Sequence, residues 1–448
     1  MHISVGSKRN VIIATVFVAL LVSAGVLVYL LVLRQDEGKK PLVDTFELED
    51  VLNRTYSSEV EMGAVMGAHW FGRVQRTDGS FIYIYDPDNG TEIDQVYSLA
   101  RHSASMYGLV WAYQYTKDRQ YLEAAIRSSN YTERYVVSDD GVKYMNVDGH
   151  SSLFDNALAL IGFSWMYNAT GDSRYLELMK GLADMCVKSQ NDKGQIDLYY
   201  GSRAFSENPM ASGEALLGLI LAYRNTGIAK YLESFKLGAK YYADYYTVDG
   251  CRNMRTDVYS WFVSAFSLGY MTTKDPYYKN ASYAMSDWII NTQFGLFFKT
   301  GNGTLDAAKM ARYPQMLGSF RDFPSMNSCT YSEGLGDVYG MARQAGDAYY
   351  EARYKEVLLN ASRFILNLQY GEAESKGFAS SNLTIGGYRH DLFDTGDSGM
   401  GWQSRWIRID YTQHAIGALF RILEEIPASD INAYYASHPR TPAPFWNE

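Results

Sequence analysis

The sequence predicts an all-α protein, an (α/α)6 toroid of six helical hairpins. Three observations carry this. An apolar helix, a short Thr-Gly-Asp-like turn and a charged helix recur along the chain, most plainly from Leu153 to Glu177. The turns, taken at Asp118, Asp172, Ile228, Asp275 and Asp347, are 54, 56, 47 and 72 residues apart, longer than the roughly 34–47 residues of common helical solenoids. The chain also begins with a helix lacking an inner partner and ends with one lacking an outer partner, so its two ends complete a sixth hairpin. Closure removes the exposed ends that an open solenoid has to cap.

Taken in order, Val11 to Leu33 is a run of apolar or small residues long enough to cross a hydrocarbon core of about 30 Å. Lys8 and Arg9 precede it, Arg34, Lys39 and Lys40 follow it, and no small-x-small cleavage site follows Leu33. The expectation is an uncleaved signal anchor at 11–33, with 1–10 cytoplasmic, a linker at 34–42, the toroid at 43–430 and a tail at 431–448. Eight Asn-x-Ser/Thr triplets, at Asn53, Asn89, Asn130, Asn168, Asn280, Asn302, Asn360 and Asn382, point to an extracytoplasmic domain tethered to the cell membrane as a single-pass protein.

A helix is expected over 58–75, where Val60, Met62, Val65, Met66 and Trp70 recur at helical spacing. Arg76 to Ser80 reads as a turn, Phe81 to Tyr85 as a strand and Asp86 to Gly90 as a second turn, a small β-hairpin on one rim. Inner helices follow near 96–115, 153–168, 211–225, 256–271, 331–345 and 409–425. Each of the first five is followed by an outer helix. The Asp in most of the turns stands where an N-cap belongs, and its carboxylate suits the orphan amides of the outer helix.

Composition is that of a globular protein, with 47% hydrophobic and 20% charged residues. The 38 Tyr suit the walls of a carbohydrate groove, although most Tyr in a helical protein straddle the edge of the core. A net charge of −9 without basic tracts argues against a nucleic-acid partner. The three cysteines, Cys186, Cys251 and Cys329, allow at most one bridge and define no metal site. With no His-x-x-x-His and no clustered cysteines, neither a transition metal nor a cofactor is expected. Calcium has only the loop carboxylates Asp391, Asp394 and Asp397 to recommend it.

In a ring of hairpins the inner helices run parallel, so their N-termini meet at one rim. There the sequence places Arg101 and His102, Asp155 and Asn156, Glu214, Arg255 and Asp257 with Trp261 beyond them, Glu333, and finally Arg408, Asp410, Gln413 and His414. Acidic residues in a first helical turn suit the macrodipole whatever else they do. Arg101, His102, Arg255 and His414 have no such excuse, and the mixture fits a cleft for a polar ligand. Asp410, Gln413 and His414 share one helical face at i, i+3 and i+4, where a carboxylate orients an imidazole. Upstream, Arg389, His390 and Asp391 lead through the loop Gly396–Gly401 to Trp402 and Trp406.

The Thr170-Gly-Asp-Ser-Arg-Tyr175 turn and its relatives resemble those of the six-hairpin glycosidase superfamily. Leu153-Phe-Asp155-Asn156-Ala-Leu-Ala-Leu is similar to the segment that holds the catalytic Asp of unsaturated glucuronyl and rhamnogalacturonyl hydrolases. Ala211-Ser-Gly-Glu214-Ala-Leu-Leu-Gly resembles their Arg-Gly-Gln-Ala-Trp helix, with Ser212, Glu214 and Leu216 at the positions of Arg, Gln and Trp, and His102 stands where the family has another Asp.

The resemblance implies a glycoside hydrolase acting on uronate-containing or other polar glycans by carboxylate acid/base catalysis. Asp155, Glu214, Glu333, Asp410 and His414 form the expected catalytic set. Arg101, His102, Asn156, Asp257, Trp261, Arg389, His390, Trp406, Arg408 and Gln413 form the expected glycan-binding set. The alternatives are a uronyl or sugar epimerase on the same toroid, using His102, His414, Glu333 and Tyr, and a non-catalytic glycan-binding or scaffold protein. The Asp-x-Asp-Asp motif of prenyl-chain cyclases is absent.

Overall fold

The computed structural model describes residues 40–441 except 140, 292, 295, 321–323 and 393–403. From Leu42 onward the chain forms one compact unit. Its six inner helices are Leu99–Thr116, Leu153–Thr170, Pro209–Thr226, Thr256–Thr273, Asn327–Ala345 and Ile409–Glu425, within a few residues of the bounds read from the sequence. Five outer helices follow them in turn: Arg119–Glu133, Ser173–Lys188, Ala229–Cys251, Pro276–Ile290 and Ala348–Leu368. Glu59–Val74 supplies the sixth.

Each inner helix packs on the next, and the sixth packs on the first, so the inner ring is closed. The sixth inner helix also lies against Glu59–Val74, and side-chain hydrogen bonds tie Glu59–Val74 to the segment 369–388. Gln369 Nε2 and Tyr388 Oη donate to the Gly63 carbonyl at 2.9 and 3.0 Å, Trp70 Nε1 to Leu383 at 2.8 Å, and Arg73 Nε to Asn382 at 2.8 Å.

The hairpin turns repeat one device. Thr116, Thr170, Thr226 and Thr273 each donate to the carbonyl four residues back, at 2.7–2.8 Å, and accept the amide two residues ahead, at 3.1–3.2 Å. The next residue takes the left-handed conformation, which costs Gly171 and Gly227 nothing and is adopted by Lys117 and Lys274 despite their side chains. Asp118, Asp172 and Asp275 then cap the outer helices as expected, accepting from Gln120, Arg174 and Tyr277. Asp347 departs from the pattern. Its carboxylate accepts instead from Lys279 Nζ at 2.8 Å and Tyr283 Oη at 2.6 Å, tying neighbouring hairpins.

Much of the tyrosine content has the same circumferential use. Tyr175 Oη lies 2.9 Å from Ser129 Oγ, Tyr231 Oη donates to the Lys180 carbonyl, and Tyr277 Oη donates to Asp244, each linking an outer helix to its predecessor.

The rim hairpin pairs Ile84–Asp86 with Thr91–Ile93, and a third strand, Ile407–Arg408, joins it antiparallel with Arg408 opposite Ile84. Neither that third strand nor a second hairpin, Val136–Asp139 with Val142–Met145, is expected from the residue pattern. Past residue 430, the helix Ala428–Ser437 buries Ile431 and Tyr435. Cys186, Cys251 and Cys329 are each buried and free.

The expected membrane localisation is corrected. No helix among the described residues is long and apolar enough to cross a membrane, and the proposed anchor at 11–33 lies outside those residues, as do Asp394, Asp397 and Trp402.

Closure of the ring generates a stability prediction. A Cβ on Gly67 would stand 2.5 Å from Ile416 Cγ2 and 2.9 Å from Tyr388 Cε2. Gly67→Leu should therefore lose ~1–3 kcal/mol by overpacking the seam, read as a lower urea midpoint in the far-ultraviolet circular dichroism signal. An unchanged midpoint would mean that the seam is not tightly packed.

Candidate functional site

The N-terminal rim of the inner ring is built by the caps of its helices. Ser98, Ser152 and Asn208 accept first-turn amides and fix where the first three inner helices begin. The strand Ile407–Arg408 does the same for the sixth, because the Ile409 amide donates to the Tyr83 carbonyl at 3.2 Å. Arg101, Asp155, Glu214 and Asp410 thereby come together from four different helices.

Asp410 is the anchor. Arg101 Nε and Arg408 Nη2 donate to its Oδ2 at 2.9 and 2.8 Å, and Arg408 Nε donates to Oδ1. Arg101 also donates to Tyr83 Oη at 2.8 Å, and the Arg408 guanidinium lies 4.3 Å from the Tyr411 ring centroid. Burial would push the Asp410 carboxyl up, but the Arg408 guanidinium, backed by Arg101 and His414, outweighs it and holds the group below the usual carboxylate range. Asp410 is thus ionised, and two guanidiniums share its single negative charge.

Asp155 and Glu214 behave oppositely. Burial pushes the half-buried Asp155 up to about 6, against the pull of the Ala100 amide. Glu214 is fully buried and is raised well above the usual range, first by burial and then by the Asp155 charge, with Arg101 opposing. Its Oε2 has no hydrogen-bond partner. The three carboxyls around one mouth are therefore tuned apart: Glu214 and Asp155 are raised by burial, and Asp410 is lowered by its arginines.

Glu333 and His414 lie deeper. His414 Nδ1 is 2.7 Å from Glu333 Oε2, Arg421 Nη1 is 3.4 Å from Glu333 Oε1, and Gln413 Nε2 donates to that same oxygen at 3.5 Å. Trp261 stands edge-on to His414 with centroids 6.2 Å apart. These three, Trp261, Glu333 and His414, line a cavity of about 470 Å³ that runs toward the hairpin-turn end of the ring, away from Asp155. The single pocket expected around all five acid/base candidates thus resolves into a rim cluster and an axial cavity.

Several expected ligand contacts are corrected. His102 is wholly buried between helices, with Nδ1 2.6 Å from Tyr97 Oη and Nε2 3.0 Å from the Ser128 carbonyl. Burial lowers it to about 4, so it is a neutral core group. Asn156 accepts from the Met145 amide at 2.7 Å and donates to Ser151 and Ser152, pinning the second hairpin to its helix. Arg389 is 1% exposed, donating to the Asn367 carbonyl and lying over the Tyr370 ring, which removes it from any ligand. Gln413 is buried.

Asp257 is exposed on the rim and engaged by Arg255. His390 is half-buried, 2.7 Å from Asp391 Oδ2, and Trp406 is half-buried against the core. Among the described residues no group of His, Cys, Asp and Glu is arranged to hold a metal ion. Tyr107 was missed from the sequence because it reads as one more apolar-helix tyrosine. It lines the axial cavity, its hydroxyl is unpartnered, and burial, then Glu333 and Glu214, raise it well above its usual value.

The comparisons with known proteins fit this geometry. Residues 95–233, which include Asp155 and Glu214, match the beta-L-arabinofuranosidase GH127 catalytic domain family. A D-mannose isomerase is 14% identical, covering 86% of this chain and 100% of its own, with a TM-score of 0.54. The GH76A alpha-1,6-mannanase from Salegentibacter sp. HEL1_6 is 13% identical over 82% of this chain and 99% of its own, with a TM-score of 0.57. An unsaturated glucuronyl hydrolase specific for heparin is 12% identical over 84% of this chain and 98% of its own, with a TM-score of 0.55. No curated protein matches. The chain has the six-hairpin glycosidase-like fold expected from its turns.

The Asp155 carboxyl binds its proton more tightly folded, at about 6, than at its ordinary 3.8. Its ionisation therefore removes stability as pH rises through that window. Asp155→Asn should flatten the fall in melting temperature between about pH 4 and pH 7, measured by calorimetry; an unaltered slope would place the proton elsewhere.

Proposed function

We propose that this chain, a glycoside-hydrolase-like toroid, is a glycoside hydrolase with Asp155 as its proton donor, acting on glycans that carry a uronate. What carries the reading is the placement of half-buried Asp155 at the rim of the ring beside buried Glu214 and arginine-paired Asp410, where burial pushes the Asp155 carboxyl up to about 6. A general acid works best with a pKa near the operating pH, and an ordinary Asp would already be ionised.

In this reading Asp155 gives its proton to the departing glycosidic oxygen as the anomeric C–O bond breaks. Water attacks the anomeric carbon and surrenders a proton, which restores Asp155. Glu214, uncharged, leaves the acid free of a second negative neighbour. Arg101 and Arg408 share one carboxylate, so the pair keeps a net positive charge toward a substrate carboxylate, with the Arg101 side chain 42% exposed. Arg389, the third arginine expected for that task, is excluded by its burial.

Two substitutions separate chemistry from binding. Asp155→Asn should fold normally and lower turnover by ~10²-fold or more. Arg408→Ala should act mainly on the KM of uronate-bearing substrates, worth ~1.5–3 kcal/mol for a lost charge-assisted hydrogen bond. Assays use uronide-containing oligosaccharides in heavy water with mass-spectrometric detection. Shortened products support hydrolysis. Deuterium incorporation without shortening would replace it with epimerisation, and full activity in Asp155→Asn would reject the assigned acid.

A further inference from the structure

The axial cavity does not open where Asp155 stands. Its deep end is made by Tyr107, Trp261, Glu333 and His414, which are buried or nearly so, while Asn168, Arg224, Gln344 and Glu424 are at its mouth among the hairpin turns. Those mouth residues lie at the C-terminal ends of the second, third, fifth and sixth inner helices, the end of the ring opposite to the carboxyl cluster. We propose that this turn-face cavity is a second ligand site that takes a neutral saccharide of one or two rings.

Three features define the ligand. Its volume of about 470 Å³ falls within the usual range for small-molecule sites, about 300–1,000 Å³. Trp111 and Trp165, edge to face with centroids 6.0 Å apart, join Trp261 and Tyr107 in its wall and offer aromatic faces to the C–H side of a sugar ring. The Tyr107 hydroxyl is buried without a partner, which costs free energy unless a ligand completes it.

The preference for a neutral ligand rests on the wall below the mouth residues Arg224 and Glu424, where the charges are already paired. Arg421 is held by Asp337 at 2.6 Å and Glu333 at 3.4 Å, His414 by Glu333, and Glu425 by Arg343 at 2.7 Å. A charged ligand would have to break those pairs or lose its own solvation unrepaid. Serines 260, 264 and 267 add short hydroxyls to the lining. Glycines on the fifth and sixth inner helices let the wall side chains Arg421 and Trp111 pack close against them. A Cβ on Gly336 would meet Arg421 Cβ at 2.8 Å, and one on Gly417 would meet Trp111 Cζ3 at 2.9 Å.

The site is independent of the acid assigned to the opposite rim, and the test keeps the two apart. Intrinsic tryptophan fluorescence of the full chain is titrated with D-glucose, D-mannose and maltose, and with glucuronate and glucosamine as charged probes. At least one neutral sugar should give a saturable change, with the charged probes at least about tenfold weaker. Tyr107→Phe and Arg224→Phe, the latter at the exposed mouth where folding is not at stake, should each weaken binding severalfold, whereas Asp155→Asn should leave it unchanged. The proposal is overturned if no neutral sugar saturates, if charged probes bind as well, if Arg224→Phe binds normally, or if Asp155→Asn abolishes the signal.

Discussion

Closure of the ring is the constraint on which everything else depends. The sixth inner helix has to pack against the first inner helix and against Glu59–Val74 at once, joining segments more than 300 residues apart in sequence. Contacts of that range are slow to form, because loop entropy is lost before they contribute. Polar bonds of similar range tie Glu59–Val74 to the segment 369–388: Gln369 and Tyr388 on Gly63, Trp70 on Leu383, Arg73 on Asn382. Elsewhere hairpin follows hairpin through local Thr and Asp contacts that need no long-range partner.

The same closure assembles the rim cluster. Arg101 belongs to the first inner helix and Asp410 to the sixth, so their 2.9 Å pair exists only in a closed ring. Once Asp410 is fixed as an anion by two arginines, burial is the largest influence on the neighbouring carboxyls. Glu214, sealed from water, keeps its proton, while Asp155, half-open to solvent, titrates near neutrality. Burial and the two arginines on Asp410 thus push the carboxyls apart, two upward and one downward, the condition under which acid and charge-stabilising roles separate.

The fold was legible because its signals are periodic and repeated. All-apolar inner helices, Thr-x-Asp turns and charged outer helices recur often enough that helix bounds could be read within a few residues. Which side of a helix a polar residue occupies was not legible. Arg101 and His102 are adjacent in sequence, yet one faces the mouth and the other is sealed against Ser128 and Tyr97, since successive helical residues point about 100° apart. Asn156 and Arg389 were misread for the same reason: a buried polar group that satisfies backbone atoms carries no mark in sequence that tells it from a ligand contact. The turn-face cavity was invisible because Asn168, Arg224 and Gln344 look like ordinary polar residues near a helix end. The strand Ile407–Arg408, only two residues long, has no pattern to detect.

Sugar chemistry at the N-terminal rim, with the residue-155 side chain against the bond that breaks, is open to a crystal structure of Asp155→Asn with a uronide-containing oligosaccharide. The glycosidic oxygen should lie within hydrogen-bond reach of the residue-155 side chain, about 2.6–3.2 Å, with the substrate carboxylate beside Arg101 and Arg408. Oligosaccharide found only in the turn-face cavity, with the rim empty, would contradict it.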